Sequence, residues 1–100
     1  MRPRKGDRFR AVRDARVGVH VMYRNPSSGG FHGALPCGEI IVIQFDPPSH
    51  ATAVSALPER YKELESLLVP AEELGTSYYS YALHVGIDQL RTDFEAVHEN

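Results

Sequence analysis

The distribution of hydrophobic and polar residues along the chain predicts several short β-strands. The most apolar stretch contains four β-branched residues in a row, from Ile40 to Ile43, followed by Phe45. Turn-forming residues enclose it, with Pro36 and Gly38 on one side and prolines after Asp46 on the other. β-Branched residues favour strands, and the stretch is too short for a helix. Residues 39–45 are therefore predicted to form a central strand that is buried on both sides or nearly so.

Alternation of apolar and polar side chains predicts the other strands. In the first of them, Phe9 and Ala11 share one face, whereas Arg8 and Arg10 share the other. A loop at residues 25–30, rich in Asn, Pro, Ser and Gly, predicts the tip of a hairpin. In all, there are seven candidate segments, of which five or six are predicted to be short strands; they cover residues 7–12, 17–23, 31–35, 39–45, 51–57, 78–85 and 92–97.

A helical pattern occurs once, at about residues 58–68. Pro58 suits the first helical position, and Tyr61, Leu64 and Leu68 recur at the spacing of one helix face. Charged residues fill the opposite face. A single 3₁₀ turn is predicted near residues 87–90, immediately before the last strand.

The order of these elements resembles that of SH3-like barrels. The first strand opens at Lys5-Gly6-Asp7, a long excursion covers residues 13–35, and a second strand opens at residues 35–39. The resemblance implies a mainly β fold: a small, partly open barrel with the helix inserted between two strands. Peptide-binding SH3 domains carry tryptophans and an acidic first loop, whereas this chain has no tryptophan and a basic, glycine-rich excursion. The resemblance therefore implies a fold and not the recognition of proline-rich peptides.

Length and composition predict one soluble domain over residues 1–100, with a mobile basic tail at residues 1–5. A chain of 100 residues is long enough to bury a single core without a metal or a disulfide. The one cysteine, the absence of a secretory signal and the absence of a long apolar run favour a cytoplasmic protein of bacterial type that does not contact a membrane.

The distribution of charge is uneven along the chain. Residues 1–24 hold eight basic and two acidic residues, a net charge of +6, whereas residues 25–100 hold three basic and eleven acidic residues, a net charge of −8. This asymmetry favours a nucleic-acid partner as one hypothesis. The competing interpretation is that Arg8 and Arg10 pair with the acidic helix or the last strand. The basic residues of the predicted nucleic-acid site are Arg2, Arg4, Lys5, Arg8, Arg10 and Arg13.

Aromatic residues near the hairpin suggest a protein-binding surface, which is the first hypothesis for function. Tyr23 and Phe31 flank the hairpin tip, and Tyr78 lies on the more polar face of a later strand. Exposed aromatic side chains are enriched at protein interfaces. The sequence therefore predicts a non-catalytic module for protein–protein contact or self-association, although the same aromatics also suit the rim of a core.

Catalytic and metal-binding functions are disfavoured by the sequence. Cys37 with a histidine would make a nucleophile and a base, but it lies in a Pro-Cys-Gly turn without the signature of a thiol enzyme. His32 and Cys37 form only one close pair of potential ligands, whereas a zinc site needs four. We therefore expect no enzyme activity, no cofactor and no metal.

Overall fold

The computed structural model describes residues 2–23, 28–73 and 79–98. In this part of the chain, seven antiparallel strands form one sheet, and two short helices accompany it. The predicted mainly β class is confirmed, with seven strands in place of five or six. The elements are β1 (Arg8–Ala11), β2 (Ala15–Tyr23), β3 (Ser28–Leu35), β4 (Ile40–Ile43), β5 (Ala53–Pro58), α1 (Tyr61–Leu68), β6 (Tyr79–Gly86), α2 (Ile87–Thr92) and β7 (Phe94–Ala96).

The strands lie in the order β3-β2-β6-β5-β4-β1-β7, so the sheet has two ends. Strands β4, β5 and β6 follow one another as a meander, and β1 inserts between β4 and β7. The β2–β3 hairpin joins the sheet through β6. Within the described residues no ladder connects β3 with β7, so the sheet is not a closed barrel.

Strand β4 is shorter and less buried than the sequence predicts. It runs from Ile40 to Ile43 instead of over residues 39–45, and its burial alternates along the strand. Ile41 and Ile43 are buried, whereas Ile40 and Val42 are half-exposed. Its pairing with β1 and β5 places alternate side chains on opposite faces of the sheet, and only one face meets the core.

The core consists of the side chains on one face of this sheet. Val17, Val19 and Val21 of β2 lie beside the buried residues of β6, where Tyr81 and Leu83 are largest. No polar or charged residue is buried among the described residues. Full burial of one large apolar side chain contributes about 1.5–3 kcal/mol, so this face is the main source of stability.

Helix α1 confirms the predicted helix, although it begins at Tyr61 instead of at Pro58. Pro58 ends strand β5, where it lies opposite Ile41. Leu64 and Leu68 of the helix are buried against the core. The helix contacts β3 and β5, and its end lies against Gly33 of β3, so it covers the core face of the sheet between those two strands.

Helix α2 replaces the 3₁₀ turn predicted at residues 87–90. The Asp93 N–H donates to the Gln89 carbonyl at 2.8 Å, which is the i→i−4 bond of an α-helix. Asp88 lies in the first turn and Arg91 in the last, where each charge favours the helix dipole. Burial of Ile87 and Leu90 adds a second reason for the longer helix.

The alternating burial makes a direct prediction with two leucines. Leu35, at the end of β3, is fully buried, whereas Leu67 of α1 is 56% exposed. We expect Leu35→Ala to lower the free energy of unfolding by about 2–5 kcal/mol, because it leaves a cavity in the core. Leu67→Ala should change it by less than about 0.5 kcal/mol. Urea titrations followed by circular dichroism measure both values, and equal losses would contradict this assignment of the core.

Candidate functional site

The β2–β3 hairpin places a long strand at one end of the sheet. Eight residue pairs join the two strands, from Ala15 opposite Leu35 to Met22 opposite Ser28. Strand β2 also pairs with β6, but no second strand pairs with β3 in the described part of the chain. The outer edge of β3 therefore presents backbone N–H and C=O groups that the sheet does not use.

The sequence of β3 lacks the features that usually protect such an edge. Its eight residues include no proline and no charged residue. Phe31 and Leu35 lie on the core side, while His32 and Ala34 are exposed on the opposite face. The other edge differs, since β7 has three residues and its Glu95 forms an ion pair. The two ends of the sheet are thus unequal.

Three histidines lie on the outer face of the sheet beside this edge. His84, Gly18 and His32 stand opposite one another across β6, β2 and β3. His20 is the next outward residue of β2, and its ring stacks on that of His84 with 5.4 Å between the centroids. A Cβ atom on Gly18 would lie 3.3 Å from the carbonyl oxygen of His84, so this close strand contact suits glycine.

The predicted aromatic residues do not form one open platform. Tyr23 and Phe31 are half-buried and pack against the core cluster. The Tyr23 hydroxyl donates to a carboxylate oxygen of Glu73, and this hydrogen bond is the main reason why the pKa of Tyr23 is raised. Tyr78 lies outside the described residues. The structure thus places Tyr23 and Phe31 on the core side of the hairpin, next to the β3 edge.

Three of the six predicted nucleic-acid-binding residues form ion pairs within the domain. Arg8 contacts Glu59 at 2.6 Å, immediately before α1, and this hydrogen bond raises the pKa of the Arg8 guanidinium. Arg10 lies 3.1 Å from Glu95 of β7. Arg13 lies 3.8 Å from Asp93. The carboxylates come from β7 and from the residues shortly before α1 and β7, so Arg8 and Arg10 are paired within the domain, close to where the competing interpretation of the charge pattern expects.

The other three basic residues lie in the segment that precedes β1. The Arg2 guanidinium donates to the carbonyl oxygens of Pro48 and Ala51 at 2.7 and 3.1 Å. The backbone N–H of Lys5 donates to Asp46 at 2.8 Å, and the side chains of Arg4 and Lys5 are exposed. The predicted tail therefore lies along the connection between β4 and β5.

Cys37 is exposed in the turn before β4. Its backbone N–H donates to Asp14 at 2.9 Å. The described residues include all five histidines, and none of them is hydrogen-bonded to the Cys37 thiol. Across the same residues, no group of three histidine, cysteine, aspartate or glutamate side chains is arranged to hold a metal ion.

Sequence reasoning did not identify the open edge or the row of histidines. The signal for the edge was present, because residues 28–35 combine β-strand pattern with an absence of charge and proline. The signal for the histidines was the alternation of side chains along each strand, which places His20 and His84 on the outward face. The two strands prove to be neighbours in the structure. The pairing of β2 with β6 could not be inferred from the sequence.

Comparisons with protein-family models, curated proteins and solved structures found no match. Within the described residues, neither helix is long and apolar enough to cross a membrane.

The contact between Tyr23 and Glu73 predicts a shifted titration. The hydrogen bond favours the neutral hydroxyl, so it stabilises the fold below pH 10, the ordinary pKa of tyrosine, and the effect is lost as pH rises through the raised pKa. Ultraviolet titration follows the ionisation of the tyrosine side chains. The parent protein should show an ionisation above pH 10 that is missing in Tyr23→Phe. Glu73→Ala should return that ionisation toward pH 10. Identical titration of the late phenol in Glu73→Ala and the parent protein would refute this origin of the shift.

Proposed function

We propose that this chain is a non-catalytic interaction module that pairs the edge of β3 with an extended strand of a second copy. One observation carries the proposal, namely the eight-residue edge strand without charge or proline. Edge strands of this kind accept further strands through backbone hydrogen bonds. The proposal assigns the domain to self-association, and the cytoplasm remains the compartment that we propose for it.

The chemistry of the edge favours a second copy as the partner. An antiparallel strand pair is self-complementary, so the same edge satisfies both sides of a two-fold symmetric contact. A charged partner would find no complementary charge on β3 itself. His32 and Ala34 would line the outer face of the new pair, where neither carries the long charged side chain that commonly keeps a neighbouring strand away.

The aromatic residues of the hairpin have a supporting place in this proposal. Phe31 lies on the core side of β3, so its half-exposed ring borders the position of an added strand. Tyr23 would stiffen the end of the hairpin through its bond to Glu73. Tyr78 remains a proposed contact residue on the sequence pattern alone.

We also propose an SH3-like arrangement for the fold. The position of β1 between β4 and β7 supports it, as do the β4–β5–β6 meander and the helix before the last strand. The β2–β3 hairpin occupies the long first excursion, and α1 is the insertion between β5 and β6. The resemblance rests on this connectivity.

Nucleic-acid binding by the whole basic segment is the alternative function. It is less favoured because the carboxylates of Glu59, Glu95 and Asp93 already face three of the six basic residues. An extended polyanion would have to compete with those carboxylates along β1.

Two lysine substitutions test the proposed edge contact. Ala34 on the edge strand and Ala53 on the interior strand β5 are both exposed alanines on the outer face of the sheet. Sedimentation equilibrium should show a concentration-dependent mass for the parent protein. We expect Ala34→Lys to raise the dissociation constant of the dimer about tenfold or more, because like charges meet across the new strand pair. Ala53→Lys should leave it unchanged.

Amide hydrogen exchange supplies the second measurement. Protection within residues 28–35 should rise with protein concentration in the parent protein and in Ala53→Lys, but not in Ala34→Lys. A monomer at every concentration, with β3 amides that exchange at the same rate throughout, would refute self-association. If Ala34→Lys and Ala53→Lys weaken the dimer equally, the contact does not lie at the edge of β3.

A further inference from the structure

A groove lies at the end of the sheet opposite β3, between the segment before β1 and the end of β7. This groove has a volume of about 440 Å³. Pockets that bind small molecules usually measure about 300–1,000 Å³. The residues that matter for its chemistry are Arg2, Arg4, Asp7, Phe9, Val97 and His98.

The groove combines an arginine that is held in place by hydrogen bonds, a second arginine that is exposed, and an apolar wall. Two N–H groups of Arg2 are held by the carbonyls of Pro48 and Ala51, which leaves three guanidinium N–H groups for another acceptor. The Arg4 side chain is exposed and has no hydrogen bond or ion pair with any described residue. Phe9 and Val97 are half-buried and supply apolar surface.

The carboxylate in the groove does not cancel this charge. One oxygen of Asp7 accepts the backbone N–H of Arg4 at 2.9 Å, so this carboxylate helps to shape the turn that presents the Arg4 side chain. Two arginines then face one aspartate. Arginine guanidinium groups bind phosphate through paired hydrogen bonds, which makes a phosphate group the best match for this charge.

We propose that this groove binds the terminal phosphate monoester of a nucleotide. Arg2 and Arg4 hold the phosphate, and Phe9 and Val97 contact the base or the sugar. Aromatic rings commonly stack on nucleobases, and the groove has room for one nucleotide. The ligand is a free mononucleotide or the 5′-phosphorylated end of a nucleic acid, which offer the same chemistry.

Ion pairs in β1 and in the turn after it limit the proposed site to one phosphate. Beyond the groove, Arg10 and Arg13 pair with Glu95 and Asp93, so the positive surface does not continue as a track for a polyanion. The groove involves β1 and β7, at the far end of the sheet from β3. Phosphate binding is therefore independent of the proposed edge contact.

Titration with adenosine monophosphate at low salt, followed by calorimetry, tests the site. We expect saturable binding, and none to adenosine. Arg4→Gln should weaken binding about tenfold, because a charge-assisted hydrogen bond is lost while the backbone bond to Asp7 remains. Ala96→Trp should weaken it similarly by filling the groove without a change of charge. The matched control is Arg16→Gln, an exposed arginine of β2, which should bind within twofold of the parent protein.

Oligonucleotides of one sequence, with and without a 5′-phosphate, identify the source of the phosphate. Tighter binding of the phosphorylated oligonucleotide than of the mononucleotide indicates a nucleic-acid end, and the reverse order indicates a free nucleotide. In both cases the log–log salt slope should be only about one or two, since few phosphates are neutralised. Equal binding with and without the 5′-phosphate would overturn the proposal, as would equal losses in Arg4→Gln and Arg16→Gln. Absence of any binding at low salt would overturn it too.

Discussion

The contact between Tyr61 and Tyr81 fixes how the helix covers the sheet. The Tyr61 hydroxyl accepts the backbone N–H of Tyr81 at 2.7 Å, and the Tyr81 hydroxyl donates to the carbonyl of Tyr61. Their rings stack with centroids 4.1 Å apart. Tyr61 begins α1 and Tyr81 lies in the buried face of β6, so these bonds set where the helix starts over the core. One face of β2 and β6 is thereby closed, while the face that carries His20 and His84 stays open.

Charge pairing across the chain gives the second constraint. The basic first part and the acidic remainder meet where β1 lies beside β7 and where Arg8 reaches Glu59. A further pair, Arg60 with Glu39 at 2.7 Å, joins the residue before α1 to the residue before β4. Three of the eight basic residues in the first part thus pair with carboxylates of the remainder, whereas Arg2, Arg4 and Lys5 before β1 and Arg16 of β2 form no ion pair with a described residue.

Alternation was enough to locate most elements, because each buried strand face repeats every second residue. Leu64 and Leu68 likewise located α1 through helical spacing. Periodicity does not name the neighbour of a strand, so it did not predict that β2 pairs with β6 or that β3 ends the sheet. It also placed Tyr23 and Phe31 near the hairpin tip without showing that they face the core. For the basic residues, the sequence was compatible with a nucleic-acid site and with ion pairs inside the domain. Only the structure shows that Arg8, Arg10 and Arg13 form such pairs whereas Arg2 and Arg4 do not.

The inequality of the two sheet edges bears on how large an assembly of this chain becomes. A sheet that is open and long at both ends can add copies head to tail without limit, which is the geometry of fibres. Here β7 offers only three residues and a charged side chain, so it makes a poor acceptor for β3 of another molecule. The proposed contact through β3 would use the open edge of both copies. If copies associate through β3, as we propose, the inequality of the two edges limits the assembly to a closed pair.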